Sequence, residues 1–511
     1  MKFSFCSDEP AAVAADLVAL GAFEGQLSES PGFIPLDRML DGKLALLAGQ
    51  EDFRAKDEQT FLLHTLDRLP AHRVLIVGLG RREEFHVPDT RRYGAAVAQA
   101  AQRAGCSSAA VMLPALDPAA HELAVQFLVE GVLLGGYRFE KYRSKDAATP
   151  DKLAQVKIVV PEEPLALARG EIVARAVSTA RDLVNEPASK LTPRELADVA
   201  TALAEERGLE CKVLGPKECE RQRMRLLLAV AQGSVEEPRF VHLTYRPKGK
   251  ERAKRKVVIV GKAVTFDSGG LSLKPAASML DMKTDMAGAA AALGVAQALP
   301  SLGLKSEVHV LIPAAENMPS GSACKIGDIV TGLGGKTVEI VNTDAEGRLT
   351  LADALSYAVK LAPDEVIDLA TLTAACVVAL GPHIAGVMGN DRSLVEHFLA
   401  AARRAGEEMW PLPLPERLKE QLKSPVADLK NSGERWGGAL LGGLFLREFV
   451  GKVPWVHVDI AGPASAEKDA GHIRKGGTGF GVSAVLEHLL SRDDALVRVH
   501  GRGPLRPRLD S

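Results

Sequence analysis

Six cysteines in 511 residues, Cys6, Cys106, Cys211, Cys219, Cys324 and Cys376, are scattered without a single CxxC spacing. That scarcity argues against a disulfide framework and a zinc ribbon, and a reducing, cytoplasmic setting is expected. The chain also lacks an excess of charge of either sign, since 63 basic and 65 acidic side chains leave a formal charge of -2. Bulk attraction to nucleic acid is therefore not implied. No run reaches about 18 uninterrupted apolar residues, the length of a membrane span, and Asp8 and Glu9 stand where a signal peptide would continue its apolar core. Neither export nor a membrane partner is expected. No internal repeat of about 20 to 50 residues and no low-complexity tract is visible.

What remains is an ordinary globular composition, 46% hydrophobic and 25% charged, in a chain long enough for two or three domains. Early apolar runs such as "KLALLA", "RVLIVGLG", "SAAVMLP" and "VKIVV" read as strands alternating with helical patterns such as "RRYGAAVAQAAQRA". They predict a smaller N-terminal α/β domain over 1–163, followed by a connecting helix over 164–186 that ends at Pro187. The strands "KVVIVG", "EVHVLIP", "TVEIV", "EVIDLATL" and "WVHVDIAG" then predict a larger C-terminal α/β domain over 187–495, with a mostly parallel central sheet. Residues 496–511, rich in arginine, are expected to form a mobile tail.

In a parallel sheet, ligands collect beyond the carboxyl ends of the strands. Two charged loops follow predicted strands. "VNTDAEGRLT" puts Asp344, Glu346 and Arg348 directly after "TVEIV", and "GKAVTFDSGGLSLKPAASMLDMKTDMAGAA" places Lys262, Asp267, Lys274 and Asp285 after "KVVIVG". Converging, the four carboxylates could not all stay ionised without cations to neutralise them. Two divalent ions would do so and would convert a shared water into a nucleophile near neutral pH. Carboxylate oxygens suit Mn²⁺, Mg²⁺ and Zn²⁺. There is no HExxH, and none of the 12 histidines lies in either loop. A desolvated lysine could ligate as the neutral amine, while a protonated one could stabilise an oxyanion.

Taken singly, such acidic clusters are also solvated loops capping a helix, and Asp281 and Lys283 are assigned that role. Spacing alone leaves both readings open. Competing motifs fail: "TGLGGKT" has Val330 where a phosphate-binding loop needs its first glycine, and "VGLGRRE" has Glu83 in place of the third glycine of a dinucleotide fingerprint. Both read as strand-ending turns. Ser268 and Ser272 have no histidine base nearby and no GxSxG elbow.

The motif "NTDAEGRL", together with "GKAVTFDSGGLSLKP", "MKTDMAGAA", "RDLVNEPASKLTP", "AAENMPSGSACKIGDIV", "DLATLT" and "HVDIAGPA", resembles the leucyl aminopeptidase family, the cytosol aminopeptidases, from about 180 to 485. The resemblance implies a homohexameric exopeptidase with two Mn²⁺ or Zn²⁺ ions per subunit, Mg²⁺ being an alternative. It would act on peptides with a free N-terminus, preferably leucine or another bulky apolar residue, through a metal-activated water. Carried over by motif, Lys262, Asp267, Asp285, Asp344 and Glu346 would be metal ligands, with Asp267 and Glu346 bridging both ions. Lys274 would stabilise the oxyanion, and Arg348 would be catalytic through a bicarbonate held by Gly347, Arg348 and Leu372. Met282, Thr371, Ala374, Ala461 and Ala464 would line the pocket for the first side chain. Some bacterial members also bind DNA, which makes a secondary binding role an alternative. The chain departs from the pattern at Ala263 and Ala374, where the family usually has glycine.

Overall fold

The computed structural model describes residues 1–144, 153–247, 253 and 255–493. They form two compact units, one comprising Met1–Gly136 and Tyr142–Glu171 with residues 490–493, the other Tyr137–Lys141 and Ile172–Leu489. The division falls inside the helix Pro164–Asn185, the segment expected as the connector. The tail expected at 496–511 lies outside the described residues. Among the described residues no helix is long and apolar enough to cross a membrane. None of the six cysteines is disulfide-bonded.

The first unit is built on a six-stranded sheet in the order Lys2–Cys6, Gln155–Val159, Ser108–Met112, Leu17–Ala22, Arg73–Gly78 and Thr60–His64. All neighbours are parallel except the last pair. One sequence expectation fails: "KLALLA" is not a strand but most of the helix Lys43–Gln50. Leucine and alanine are strong helix formers and the run has no β-branched residue. Its burial follows the helical spacing, with Leu44 and Ala48 both at 0% exposure and Leu46 between them at 58%.

The second unit carries a nine-stranded sheet. Its order runs Met409–Pro411, Ala385–Gly389, Trp455–Asp459, Glu365–Ala370, Lys256–Gly261, Glu307–Asn317, Arg239–Tyr245 and Glu210–Leu214, with Ala263–Asp267 also paired to Glu307–Asn317. The central neighbours are parallel. The helices Ala287–Leu302 and Gly347–Lys360 both pack on the central strand Lys256–Gly261, which explains why Val257–Gly261 are buried without alternation.

A second expectation is corrected here. "TVEIV" does not belong to this sheet. Its strand, Thr337–Glu339, sits in a separate three-stranded sheet, antiparallel to Ile329–Thr331 and parallel to Leu429–Lys430. The glycine-rich "TGLGGKT" turn folds the chain back on itself, so the strand pairs with its immediate predecessor instead of crossing over a helix. "TGLGGKT" is thus the connection of a hairpin.

Within the large sheet, neighbouring strands share a buried polar triad. Asp368 accepts from Trp455 Nε1 at 2.6 Å and lies 2.6 Å from His457 Nδ1, all three fully buried. Breaking one partner strands a carboxylate oxygen with no access to water. Trp455→Phe is therefore expected to lower the unfolding free energy by at least about 1.5–3 kcal/mol, the worth of a hydrogen bond to a charged group. An unchanged urea midpoint would show that Asp368 draws nothing from the indole.

Candidate metal centre

Five strand ends deliver polar groups to one place. Lys262 follows Lys256–Gly261, Asp267 closes Ala263–Asp267, Asn317 closes Glu307–Asn317, Thr371 follows Glu365–Ala370, and Asp459 closes Trp455–Asp459. Asp285 arrives on the turn that enters the helix Ala287–Leu302, while Asp344 and Glu346 arrive on the loop that enters Gly347–Lys360. The loop reaches this position from the side sheet and not, as its sequence context suggested, from a strand of the main one.

Asp267, Asp344 and Glu346 each offer a carboxylate oxygen within 4.8 Å of the others. Lys262 Nζ lies 2.6 Å from Asp285 Oδ1 and 3.3 Å from Glu346 Oε1, and donates to the Thr371 carbonyl at 2.8 Å. Lys274 Nζ lies 2.9 Å from Asp267 Oδ2 and 2.5 Å from Asp344 Oδ1. Asp267 Oδ1 also accepts from the Gly269 N–H and from Asn317 Nδ2, both at 2.8 Å, and Asp285 Oδ1 accepts from Thr371 Oγ1 at 2.7 Å. All five predicted ligands and Lys274 therefore belong to one constellation.

Four carboxylates face two ammonium groups here, and Asp267, Asp285 and Glu346 are buried. Burial pushes the Glu346 carboxyl up to about 8, with repulsion from Asp267 and Asp285 only partly offset by Lys262. Burial likewise pushes Asp285 up to about 6 and raises Asp344. Burial works against the charge on Lys262, yet Asp285, Glu346 and Asp267 hold its proton above the usual lysine range. Asp285 Oδ2 and Glu346 Oε2 are buried without a hydrogen-bond partner. Unsatisfied buried carboxylate oxygens in an electronegative pocket are what divalent cations would complete, so the residues fit a metal site.

Close backbone approach makes the cluster possible. Gly269, at φ +87°, passes so near Asp344 and Ser272 that a Cβ there would overlap the Ser272 carbonyl. At Gly347 a Cβ would collide with the Lys262 side chain. The two serines dismissed as nucleophiles are loop braces: Ser268 Oγ donates to the Asn317 carbonyl at 2.7 Å, and Ser272 Oγ accepts from the Thr343 N–H at 3.1 Å. Asp281 is exposed, as its assignment to a solvated loop requires, but Lys283 is not simply solvated. It is half-buried, and its Nζ donates at 2.7 Å to the carbonyl of Asn185, the last residue of Pro164–Asn185, where a helix leaves carbonyls free.

Arg348 is buried, donates through Nη1 to the Asn431 carbonyl at 2.9 Å, and keeps Nε without a partner. Burial pulls its guanidinium below the usual arginine range, against the pull of Glu346 and Asp459. Leu372 and Arg348 both flank Gly442, but the Leu372 N–H already donates to Asp459 Oδ1 at 3.1 Å. Of the expected pocket lining, Thr371 touches Asp285, Met282 is half-buried on the same turn, Ala374 is exposed at the start of Ala374–Leu380, and Ala461 donates its N–H to Asp459. Ala464 is buried at 3% exposure. Ala263 is fully buried in register with Ala314, so its methyl group is accommodated inside the sheet.

Asn317, Asn431 and Asp459 carry much of this hydrogen bonding and were not singled out from sequence. Asn317 and Asp459 close strands whose ends differ from the runs "EVHVLIP" and "WVHVDIAG" read from the sequence, so only their nearness to a strand was available as a signal. Asn431 had none.

A carboxylate cluster braced by two lysines, beyond the strand ends of an α/β sheet, fits the kind of divalent-cation site used for hydrolysis. The chain belongs to the cytosol aminopeptidase family: residues 178–486 match its catalytic domain and residues 19–146 its N-terminal domain. It is 44% identical over 478 residues to a probable cytosol aminopeptidase of Aquifex aeolicus, covering 93% of this chain and 95% of that one. A probable cytosol aminopeptidase of Cyanothece is 42% identical over 483 residues, covering 93% and 97%. Among solved structures, a lysine-to-glutamate mutant of tomato leucine aminopeptidase superposes with a TM-score of 0.88 at 36% identity, covering 96% of each chain. The bottromycin maturation enzyme BotP, in complex with Mn, superposes with a TM-score of 0.84 at 38% identity, covering 94% of this chain and all of that one. Membership of this family supports metal-dependent aminopeptidase activity.

The raised Glu346 carboxyl gives a signed prediction. Because its folded pKa, about 8, lies above the unfolded value near 4.5, the metal-free protein is expected to lose stability as pH rises between these values. Glu346→Gln removes that titration, so the stability of the metal-free variant is expected to fall less than that of metal-free wild type as pH rises from about 4.5 to about 8. The same variant is expected to bind Mn²⁺ at least about tenfold more weakly. Denaturation curves across pH with chelator, and calorimetric Mn²⁺ titration, read the two effects; a Glu346→Gln protein that binds Mn²⁺ like wild type would remove Glu346 from the ligand set.

Proposed function

We propose that the protein is a di-metal aminopeptidase that removes the N-terminal residue from peptides, with preference for leucine or another bulky apolar residue. The observation that carries this reading is the group of buried carboxylates with unpartnered oxygens in a chain of the cytosol aminopeptidase family. Lys262, Asp267, Asp285, Asp344 and Glu346 would hold two divalent ions, Mn²⁺ or Zn²⁺. Such ions supply Lewis acidity toward a carbonyl and lower the pKa of water into the neutral range.

The chain's own residues divide the remaining work. Lys262 has a side chain only 3% exposed, enclosed by Asp285, Glu346 and Thr371, and would ligate as the neutral amine. Lys274 is 16% exposed between Asp267 and Asp344, so its ammonium is the one a substrate carbonyl oxygen can reach as negative charge develops. A free N-terminal amine, unlike an acetylated nitrogen, keeps a lone pair able to ligate a divalent ion held by these residues. Arg348 Nε, buried and free, is the donor that an anion such as bicarbonate would take, and bicarbonate there would serve as a general base. An apolar preference would follow from Met282, Thr371 and Ala374 lining the pocket for the first side chain, as the family resemblance implies, since burying a leucine side chain gains about 25 cal/mol per Å².

Leucine release from a leucyl peptide is expected to vanish on metal removal, to return with Mn²⁺ or Zn²⁺, and to be absent when the N-terminus is acetylated. Equal cleavage of the acetylated peptide would rule out the exopeptidase reading. Lys274→Ala is expected to lower kcat by about 10²–10³-fold with little change in KM, as for loss of one oxyanion donor. A loss confined to KM would instead make Lys274 a ground-state binding residue.

A further inference from the structure

Asn431 lies some ninety residues along the chain from the carboxylate loop, yet it holds both of that loop's ends. It is fully buried and follows the two-residue strand Leu429–Lys430, which runs parallel to Thr337–Glu339 and passes its N–H to the Glu339 carbonyl at 3.0 Å. Its Oδ1 accepts from the Val341 N–H at 2.9 Å and the Asn342 N–H at 3.3 Å. Its Nδ2 donates to the Asn342 carbonyl at 2.6 Å and the Ala345 carbonyl at 3.4 Å. Both acceptor and both donor capacities of the amide are thus directed at the backbone of Val341–Ala345. The residue's own carbonyl accepts from Arg348 Nη1 at 2.9 Å.

We infer that Asn431 is a positioning residue of the site. Its side chain sets the course of Val341–Ala345 and hence the placing of Asp344 and Glu346, and its main-chain carbonyl aims Arg348 so that Nε stays free. The inference rests on the proposed role of Asp344 and Glu346 as metal ligands. The middle of the loop is held by other groups, with Thr343 bonded to Ser272, to the Gly269 carbonyl and to Asn317 Nδ2, and the Asn342 side chain bonded to the Asp344 N–H at 2.9 Å. Its two ends, between a three-residue strand and a helix whose preceding residue Glu346 makes no side-chain cap, are the parts bonded to the Asn431 amide. A buried amide bonded at four points orients such a backbone, whereas any other side chain of similar size leaves peptide groups unsatisfied.

Asn431→Asp preserves shape but turns a carboxylate oxygen toward the Asn342 and Ala345 carbonyls; Asn431→Ser deletes the reach without adding charge. Both are to be compared with Glu346→Gln and with Asn390→Ala, which removes bonds to the Val453 carbonyl and the Trp455 N–H elsewhere in the same unit. Mn²⁺ affinity by calorimetry, urea midpoint, and kcat and KM on a leucyl peptide at saturating Mn²⁺ are the readouts. Both Asn431 variants are expected to bind Mn²⁺ at least about tenfold more weakly. They are also expected to lose kcat at least tenfold at saturating Mn²⁺, with KM within about threefold of wild type. Asn390→Ala is expected to lower the midpoint and leave Mn²⁺ affinity unchanged. If folded Asn431→Asp and Asn431→Ser bind Mn²⁺ and turn over like wild type while Glu346→Gln does not, the positioning role is overturned and the metal site stands. If Glu346→Gln also binds Mn²⁺ normally, the ligand assignment beneath the inference has failed instead.

Discussion

Like charges buried together are the constraint from which the rest of this unit follows. Asp267, Asp285 and Glu346 are removed from water within reach of one another, and taking each ion out of water costs several kcal/mol. Asp285 and Glu346 both stand just before the first turn of a helix, where the positive end of the peptide dipoles favours an anion. That contribution is about 0.3–1 kcal/mol per helix, too small to offset the burial. Lys262 and Lys274 bring two positive charges against four carboxylates, and buried oxygens are still left over. Further cations would offset the charge that the lysines leave, which would tie the integrity of the site to its proposed chemistry.

Holding such a cluster requires backbone that does not yield. The carboxylates are placed by strand ends and by the segments that enter two helices packed on the central strand, so their positions derive from the most buried part of the unit. The loops between are braced by short polar side chains, Ser268, Ser272, Thr343 and Asn317, each bonded to the backbone of another loop. The helix Ala287–Leu302 is almost wholly alanine and glycine on its buried face, which lets it approach the sheet closely enough to set Asp285 against Lys262. The two lysines share one chemistry but differ in exposure, 3% for the Lys262 side chain against 16% for that of Lys274.

How much of this could be read in the residues depended on how local the cause was. The strands of the large sheet announced themselves by continuous Val and Ile runs, because parallel strands covered on both faces have no polar side to show. "KLALLA" misled because a short apolar run carries no period of its own; only the burial of Leu44 and Ala48 against the exposure of Leu46 shows the helix. "TVEIV" is a strand of the wrong sheet, because pairing partners are chosen by the turn that precedes the strand and not by its composition. Lys283 looked like one more solvated charge, since nothing nearby in sequence foretells the Asn185 carbonyl to which it bonds.

The sequence by itself determined the chemical inventory: which carboxylates and lysines lie beside strand ends, the glycines that let them crowd, and the absence of histidine ligands in the charged loops. Residue type and local order are enough for that, because metal chemistry depends on donor atoms and close approach on the lack of a Cβ. Only the tertiary structure decided that the two charged loops meet, that the second arrives from a side sheet, and that Asn431 and Asn317 hold them. Those residues act through hydrogen bonds to backbone that is remote in sequence, and such partners exist only once the chain has folded.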